Sequence, residues 1–325
     1  MDLQLAFELR SPPGMTGHAV LYSEMLDMAA WADRVGFSFV NFGEHHASIS
    51  GYNPSPLITC AGVAGRTQRI RMRPNILIAP LYDPIKLAED TAVLSLVSGG
   101  RFDICLGGGY RPKECAMFDK PIDGRWKAVG DAARVLKAAW TGEPFDYEGR
   151  TVTIRPIPER APTLLIGGMS PAAAKRAARI GDGFSSPLVP GLWEHYRDAA
   201  VELGKPDPGP EQPRGPVFLW VAEDVDAAWD MLMPHVLSQI DEYASFTTEG
   251  YGEPVGPYAG VTDAVAARAN PAYQVLTPEE LIDLGHTLGP DGYLLFNPLM
   301  GAIPPQEAWR MLKLLERQVM PHLPS

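Results

Sequence analysis

The chain has 325 residues, 46% of them hydrophobic, enough to bury a sizeable core within one large α/β domain. Its 28 Lys and Arg stand against 39 Asp and Glu, and the net charge of -11 excludes nucleic acid and anionic membrane surfaces as expected partners, since no basic run offsets it. Three cysteines, Cys60, Cys105 and Cys115, form no CxxC pair and adjoin apolar or small residues, so they read as reduced and buried.

In chain order, Leu3 to Phe7 is the first strand, and Leu21, Met25, Met28, Ala32 and Val35 recur at helical spacing in a helix stopped by Gly36. Phe37 to Phe42 is the second strand. A helix from Pro56 to Ala64 leads into a third strand, Ile70 to Ile78, followed by a helix from Pro84 to Val97 that Ser98-Gly99-Gly100 closes. Phe102 to Leu106 makes the fourth strand, and a helix centred on Val129 to Trp140 follows it. The alternating stretch near residues 144–156 turns at Glu148-Gly149 and reads as an inserted hairpin. Thr163 to Ile166 is the fifth main strand, and Ser170-Pro171 supplies an N-cap and a first-turn proline for a helix ending at Gly181. Further strands fall at Gly183 to Ser186, Val217 to Val221 and Gly292 to Phe296. A last helix, Pro305 to Val319, is expected to pack over the first.

Eight strands in βα alternation, without a composition break, predict a TIM-type (β/α)8 barrel with insertions, one domain over residues 1–325. Residues 241–275 depart from the alternation: Gly250, Gly252, Gly256 and Gly260 are interspersed with Pro254, Pro257 and Pro271. That excursion, with Tyr243, Phe246, Tyr251, Tyr258 and Tyr273, reads either as a lid or substrate wall or as a surface loop. Neither a secretory leader pattern nor an apolar run of about eighteen residues is present, so the expected location is cytoplasmic.

Glu44-His45-His46 follows the second strand abruptly, where strand ends of an α/β core face a pocket and histidines can move protons. Neither HxH nor HExxH occurs, and no metal is expected. Asn75 interrupts the third strand, marking either a bulge or a polar edge for a ligand. Gly107, Gly108 and Gly109 close the fourth strand as a tight turn or as a place where backbone approaches a flat or phosphorylated ligand. Gly167-Gly168-Met169-Ser170 joins a strand to a capped helix, and its amides, hydroxyl and helix dipole suit a phosphate.

Together these segments resemble the bacterial luciferase-like, flavin-dependent monooxygenase family. The resemblance runs through Trp31-Ala-Asp-Arg-Val-Gly-Phe, Glu44-His-His, Arg66-Thr, Asp83-Pro with Ala88-Glu-Asp, and Ser98-Gly-Gly-Arg-Phe. It continues in Gly107 to Tyr110, Gly167-Gly with Ala177-Ala-Arg-Ile-Gly-Asp-Gly, and Val319-Met-Pro-His-Leu. The family implies a homodimeric barrel that uses reduced FMN, supplied by a separate flavin reductase, and dioxygen to oxygenate a small-molecule substrate through a flavin hydroperoxide. It implies His45 as the catalytic residue, and Asn75, Gly107, Gly108, Gly167, Gly168, Met169 and Ser170 as cofactor-binding. At Asn75-Ile76 the family often has a non-prolyl cis peptide. The match departs at Gly108, where the family has a phosphate-contacting arginine; Arg111 or the helix amides would then serve. Two other readings share these motifs: a deazaflavin-dependent hydride-transfer oxidoreductase, and a non-catalytic flavin-binding protein.

Overall fold

Helix ends in this chain are set by local chemistry that the sequence displays. Gly36 closes the first helix at φ 98°, a left-handed turn that strains any side chain, after Leu21, Met25, Met28 and Ala32 have lined its buried face. Asp83 caps the helix that begins at Pro84, its carboxylate accepting from the Ile85 and Lys86 amides at 2.9 and 3.0 Å.

The computed structural model describes residues 1–186 and 189–324. The N-terminal elements are β1 (Asp2–Phe7), α1 (His18–Val35), β2 (Phe39–Phe42), α2 (Pro56–Ala64), β3 (Arg71–Pro74), β4 (Leu77–Ile78) and α3 (Pro84–Val97). Next come β5 (Ile104–Gly107), α4 (Pro112–Met117), α5 (Arg125–Ala139), the strands β6 (Phe145–Tyr147) and β7 (Arg150–Val152), β8 (Leu164–Gly167), α6 (Pro171–Ile180), β9 (Gly183–Ser185) and α7 (Leu192–Glu202). The C-terminal elements are β10 (Phe218–Val221), α8 (Val225–Tyr251), α9 (Ala264–Ala269), β11 (Tyr273–Leu276), α10 (Pro278–Leu288), β12 (Tyr293–Phe296) and α11 (Pro305–Leu314).

These elements form two compact units. The first contains Met1–Asn41, Ser48–Pro54 and Gln212–Ser325. In it β1 runs parallel to β12, with Leu3 opposite Leu294 and Leu5 opposite Phe296, and β10 runs parallel to β11. α11 packs over α1 as expected: Trp309 Nε1 donates to Glu24 at 2.7 Å and Trp31 Nε1 donates to Glu316 at 2.9 Å. The excursion is more regular than its Gly and Pro content implied. α8 continues through residue 251 before Gly252 stops it, because Trp229, Leu232, Val236, Ile240 and Phe246 keep one face buried. β11 lies in the same excursion and was not read as a strand.

The second unit contains Phe42–Ala47 and Ser55–Glu211. Its sheet is parallel, in the order β4-β5-β8-β9, with Ile78 opposite Gly107, Leu106 opposite Ile166, and Gly167 opposite Ser185. Their C-terminal ends therefore line up along one edge, where an α/β sheet places ligands. The third strand is broken rather than continuous: β3 ends at Pro74, the Asn75-Ile76 peptide is cis, and β4 resumes at Leu77. β6 and β7 form an antiparallel hairpin, Phe145 pairing with Val152. α4, directly after the glycine turn, was not foreseen.

Candidate functional site

The candidate site residues from Glu44 to Ser170 fall in the second unit: Glu44 to His46 follow β2, Asn75 lies between β3 and β4, and the glycine turns leave the C-terminal ends of β5 and β8. Glu44 is buried and anchors the end of β2. It accepts from the Ile78 amide at 2.6 Å, the Tyr82 hydroxyl at 2.6 Å and His46 Nε2 at 3.0 Å. Burial, with the Glu44 charge beside it, pushes the Tyr82 hydroxyl far above its ordinary value, so Tyr82 stays a donor.

His45 is held by a residue that sequence reasoning missed. Glu114, on α4, accepts through a single oxygen from His45 Nδ1 at 2.7 Å, the His46 amide at 2.9 Å and Arg111 Nη1 at 3.1 Å. Burial alone would raise its pKa. The hydrogen bonds from His45 and the His46 amide, with the Arg111 charge, hold it below the usual carboxylate value instead. An ionised carboxylate only accepts, so Nδ1 of His45 carries a proton and Nε2 is the acceptor of the neutral ring. That Nε2 faces the Tyr110 hydroxyl at 3.4 Å. The two histidines are thus oppositely oriented. His46 turns Nε2 to Glu44 and lies edge-on to Phe118 at 4.8 Å, a supporting position.

Asn75 is exposed at the break in the third strand. Its amide donates to the Phe42 carbonyl at 2.7 Å, and its Oδ1 accepts from Ser185 Oγ at 2.9 Å, tying the break to the ends of β2 and β9. Ile76 covers two glycine positions: a Cβ on Gly107 would fall 2.5 Å from Ile76 Cγ2, and one on Gly167 would also meet the Ile76 side chain. Only glycine permits that approach. Gly168 has φ 151° and lies against Ala173, Met169 is exposed, and Ser170 Oγ accepts from the Ala173 amide at 3.3 Å as the cap of α6. Pro171 has no N–H, so Ala172 alone among the first-turn positions keeps an uncommitted amide.

Arg111, one of the two alternatives for the arginine absent at Gly108, is engaged elsewhere in the chain. Its guanidinium is buried, paired with Glu114 and donating to the His46 carbonyl at 2.8 Å. The glycine turns instead adjoin Arg125, Trp126 and Arg176, and Arg125 Nε and Arg176 Nη1 are buried without a hydrogen-bond partner. Orphaned cationic donors beside two side-chain-free turns fit a phosphorylated cofactor. Among the described residues no group of three or more His, Cys, Asp or Glu is arranged to hold a metal, and no helix is long and apolar enough to cross a membrane. The three cysteines are buried and unbridged, and burial pushes the Cys105 thiol up to about 12.

The aromatic residues of the excursion belong to the first unit, and only some of them cluster. Tyr243 stacks on Tyr258 with centroids 4.7 Å apart and shares a hydrogen bond of 2.8 Å with the Tyr52 hydroxyl, while Phe246 packs edge-on to Tyr243. Tyr273 sits in β11 and donates to Gln239 at 2.8 Å; Tyr251 is exposed.

Residues 5–281 match the luciferase-like monooxygenase family, and the chain belongs to it. One relative is the oxygenase component of the flavin-dependent trigonelline monooxygenase of Acinetobacter baylyi (strain ATCC 33305 / BD413 / ADP1). It is 28% identical over 171 residues, covering 50% of this chain and 47% of that protein. The F420-dependent glucose-6-phosphate dehydrogenase of Nocardia farcinica (strain IFM 10152) is 28% identical over 188 residues, covering 54% and 56%. The chain spans about half the length of the curated relatives it matches. Among solved structures, the oxygenating constituent of 3,6-diketocamphane monooxygenase from the CAM plasmid of Pseudomonas putida is a type II Baeyer-Villiger monooxygenase in complex with FMN. It superposes with a TM-score of 0.75 at 20% identity, covering 99% of both chains. The fold class is therefore the luciferase-like α/β fold of the TIM-barrel type, with insertions.

Proposed function

We propose that this chain is the oxygenase of a flavin-dependent monooxygenase, taking reduced FMN and dioxygen to a small organic substrate, with His45 as its catalytic residue. The observation that carries the reading is the Glu114-held His45, whose Nε2 is kept as an acceptor beside Tyr110 at the edge where glycine turns end the parallel strands. Reduced flavin, when bound, supplies the electrons that activate dioxygen. Asn75, Gly107 and Gly108, together with the segment from Gly167 to Ser170, would hold it through backbone groups, the glycines making room for Ile76 and Trp126 behind them.

His45 Nε2 takes a proton from the reacting group and returns it. Glu114 stabilises the imidazolium that forms in between and keeps the ring from flipping to the other tautomer. Glu44 and Tyr82 fix the strand end from which His45 projects, and His46 supports Glu44. A relative named as an oxygenase component supports a separate reductase as the source of reduced flavin.

A second reading has support of its own, because relatives named for F420 match at the same identity. In a deazaflavin-dependent hydride transfer the same His45 would take the proton that leaves as the hydride does. Titrating the protein with FMN, reduced FMN and F420 while recording fluorescence and oxygen uptake separates the two. The monooxygenase reading expects reduced FMN to bind and oxygen to be consumed; tight F420 binding without oxygen uptake overturns it.

A further inference from the structure

Trp126 bridges the two glycine turns of the site. A Cβ on Gly108 would lie 3.0 Å from Trp126 Cζ3 and 3.2 Å from Arg125 Cγ, and one on Gly168 would lie 3.8 Å from Trp126 Cη2. Two guanidinium groups flank the same indole, Arg176 Cζ at 4.3 Å and Arg125 Cζ at 5.2 Å from its ring centroid. Arg125 Nη1 donates to the Ile122 carbonyl at 2.9 Å, but its Nε and Arg176 Nη1 are buried without a partner. Among the described residues no carboxylate pairs with either arginine. In a chain of net charge -11, two unpaired cations brought together are an unusual arrangement. Burial, then the nearby Arg179 and Arg125, hold the Arg176 guanidinium below its ordinary value, so its charge is uncompensated from within the protein.

Other anion donors at this place are few. Pro171 has no N–H, Ser170 Oγ accepts from the Ala173 amide and keeps only its O–H to donate, and Arg111 is paired with Glu114. The helix end therefore offers the Ser170 O–H and the Ala172 amide but no charge, while a planar guanidinium presents paired, charged donors to phosphate oxygens. We propose that Arg125 and Arg176, stacked on Trp126, clamp the phosphate of the bound flavin nucleotide, replacing the arginine absent at Gly108; this rests on the flavin reading above. Trp126 serves as the platform that holds both guanidinium groups beside the turns, so neither arginine needs a carboxylate to fix its position.

The test compares FMN with riboflavin, which lacks the phosphate, by flavin fluorescence on the wild type, Arg125→Gln and Arg176→Gln. Riboflavin affinity serves in each variant as a check that the protein has folded. The wild type is expected to bind FMN more tightly than riboflavin, and each variant to lose about ten- to a hundredfold in FMN affinity, the effect of one charge-assisted hydrogen bond, with riboflavin affinity unchanged. Inorganic phosphate is expected to compete with FMN on the wild type and to lose that effect in the variants. If both variants keep the wild-type preference for FMN over riboflavin, the clamp is refuted and the flavin reading stands. If the wild type binds neither FMN, riboflavin nor F420, both fall.

Discussion

Replacing Glu114 with Gln tests whether this side chain organises the candidate catalytic histidine. One Glu114 oxygen collects three donors, and the side chains of Glu114 and Arg111 are only 1% and 3% exposed. Removing one charge of a buried pair costs about 3–5 kcal/mol, because the other is left without a counter-charge. Arg111 keeps its bond to the His46 carbonyl, and the Gln carbonyl still accepts, so the lower end applies, about 3 kcal/mol. Urea unfolding of wild type and Glu114→Gln measures it, with Arg111→Met/Glu114→Gln expected to recover most of the loss since the pair is then removed as a whole. The ring ¹⁵N spectrum of His45 gives an independent reading. Neutral His45 carries its proton on Nδ1 in the wild type and populates both tautomers in Glu114→Gln. A loss under about 1 kcal/mol, or a wild-type ring protonated on Nε2 alone, refutes the assigned role.

Tyr82→Phe removes one of three donors to buried Glu44 and is expected to cost about 1 kcal/mol in urea unfolding. Gly107→Ala places a methyl 2.5 Å from Ile76 Cγ2 and is expected to destabilise by about 1–3 kcal/mol, with Ile76→Ala in the same chain relieving part of it; equal costs in both backgrounds contradict the contact. Ser170→Ala removes the cap of α6 and should cost about 1 kcal/mol, read from the same transition. In the first unit, burial would raise the Glu242 pKa, but hydrogen bonds from Ser48 and Ser50 and the Arg10 charge hold it below its ordinary value of 4.5. A depressed carboxylate contributes stability that is full above its unfolded value and lost as pH falls through the folded one. Below pH 4.5, Glu242→Gln should therefore flatten the acid limb of the stability profile, and an unchanged slope contradicts the assignment.

The parts of the fold that local chemistry encodes were legible. α3 runs from Pro84 to Val97 as read, because an Asp-Pro cap begins it and Gly99 and Gly100, at φ 63° and 77°, end it; α6 follows from Ser170-Pro171 in the same way. The start of the excursion was not, since Gly250 argues locally against the helix that a buried face sustains through residue 251. The break at Asn75 was visible as a polar residue in an apolar run, though strand periodicity alone gave a continuous strand. In the site, His45 and the glycine turns stood out by residue type. Glu114, Arg125 and Arg176 did not, because Glu114 meets His45 across 69 positions and the arginines acquire meaning only against Trp126 and the two turns. The one signal available for Glu114 was a carboxylate three residues after Arg111 in a short segment beginning with Pro112, a first-turn acid rather than a catalytic motif.

The proposed flavin site lies at the C-terminal edge of the β4-β5-β8-β9 sheet, with His45 reaching it from the end of β2. A crystal structure of the protein with bound FMN decides whether it does. The ring is expected beside Asn75, the Gly107 and Gly167 backbone and His45, and the phosphate on Arg125 and Arg176. FMN bound away from that edge, with His45 and both arginines untouched, would contradict it.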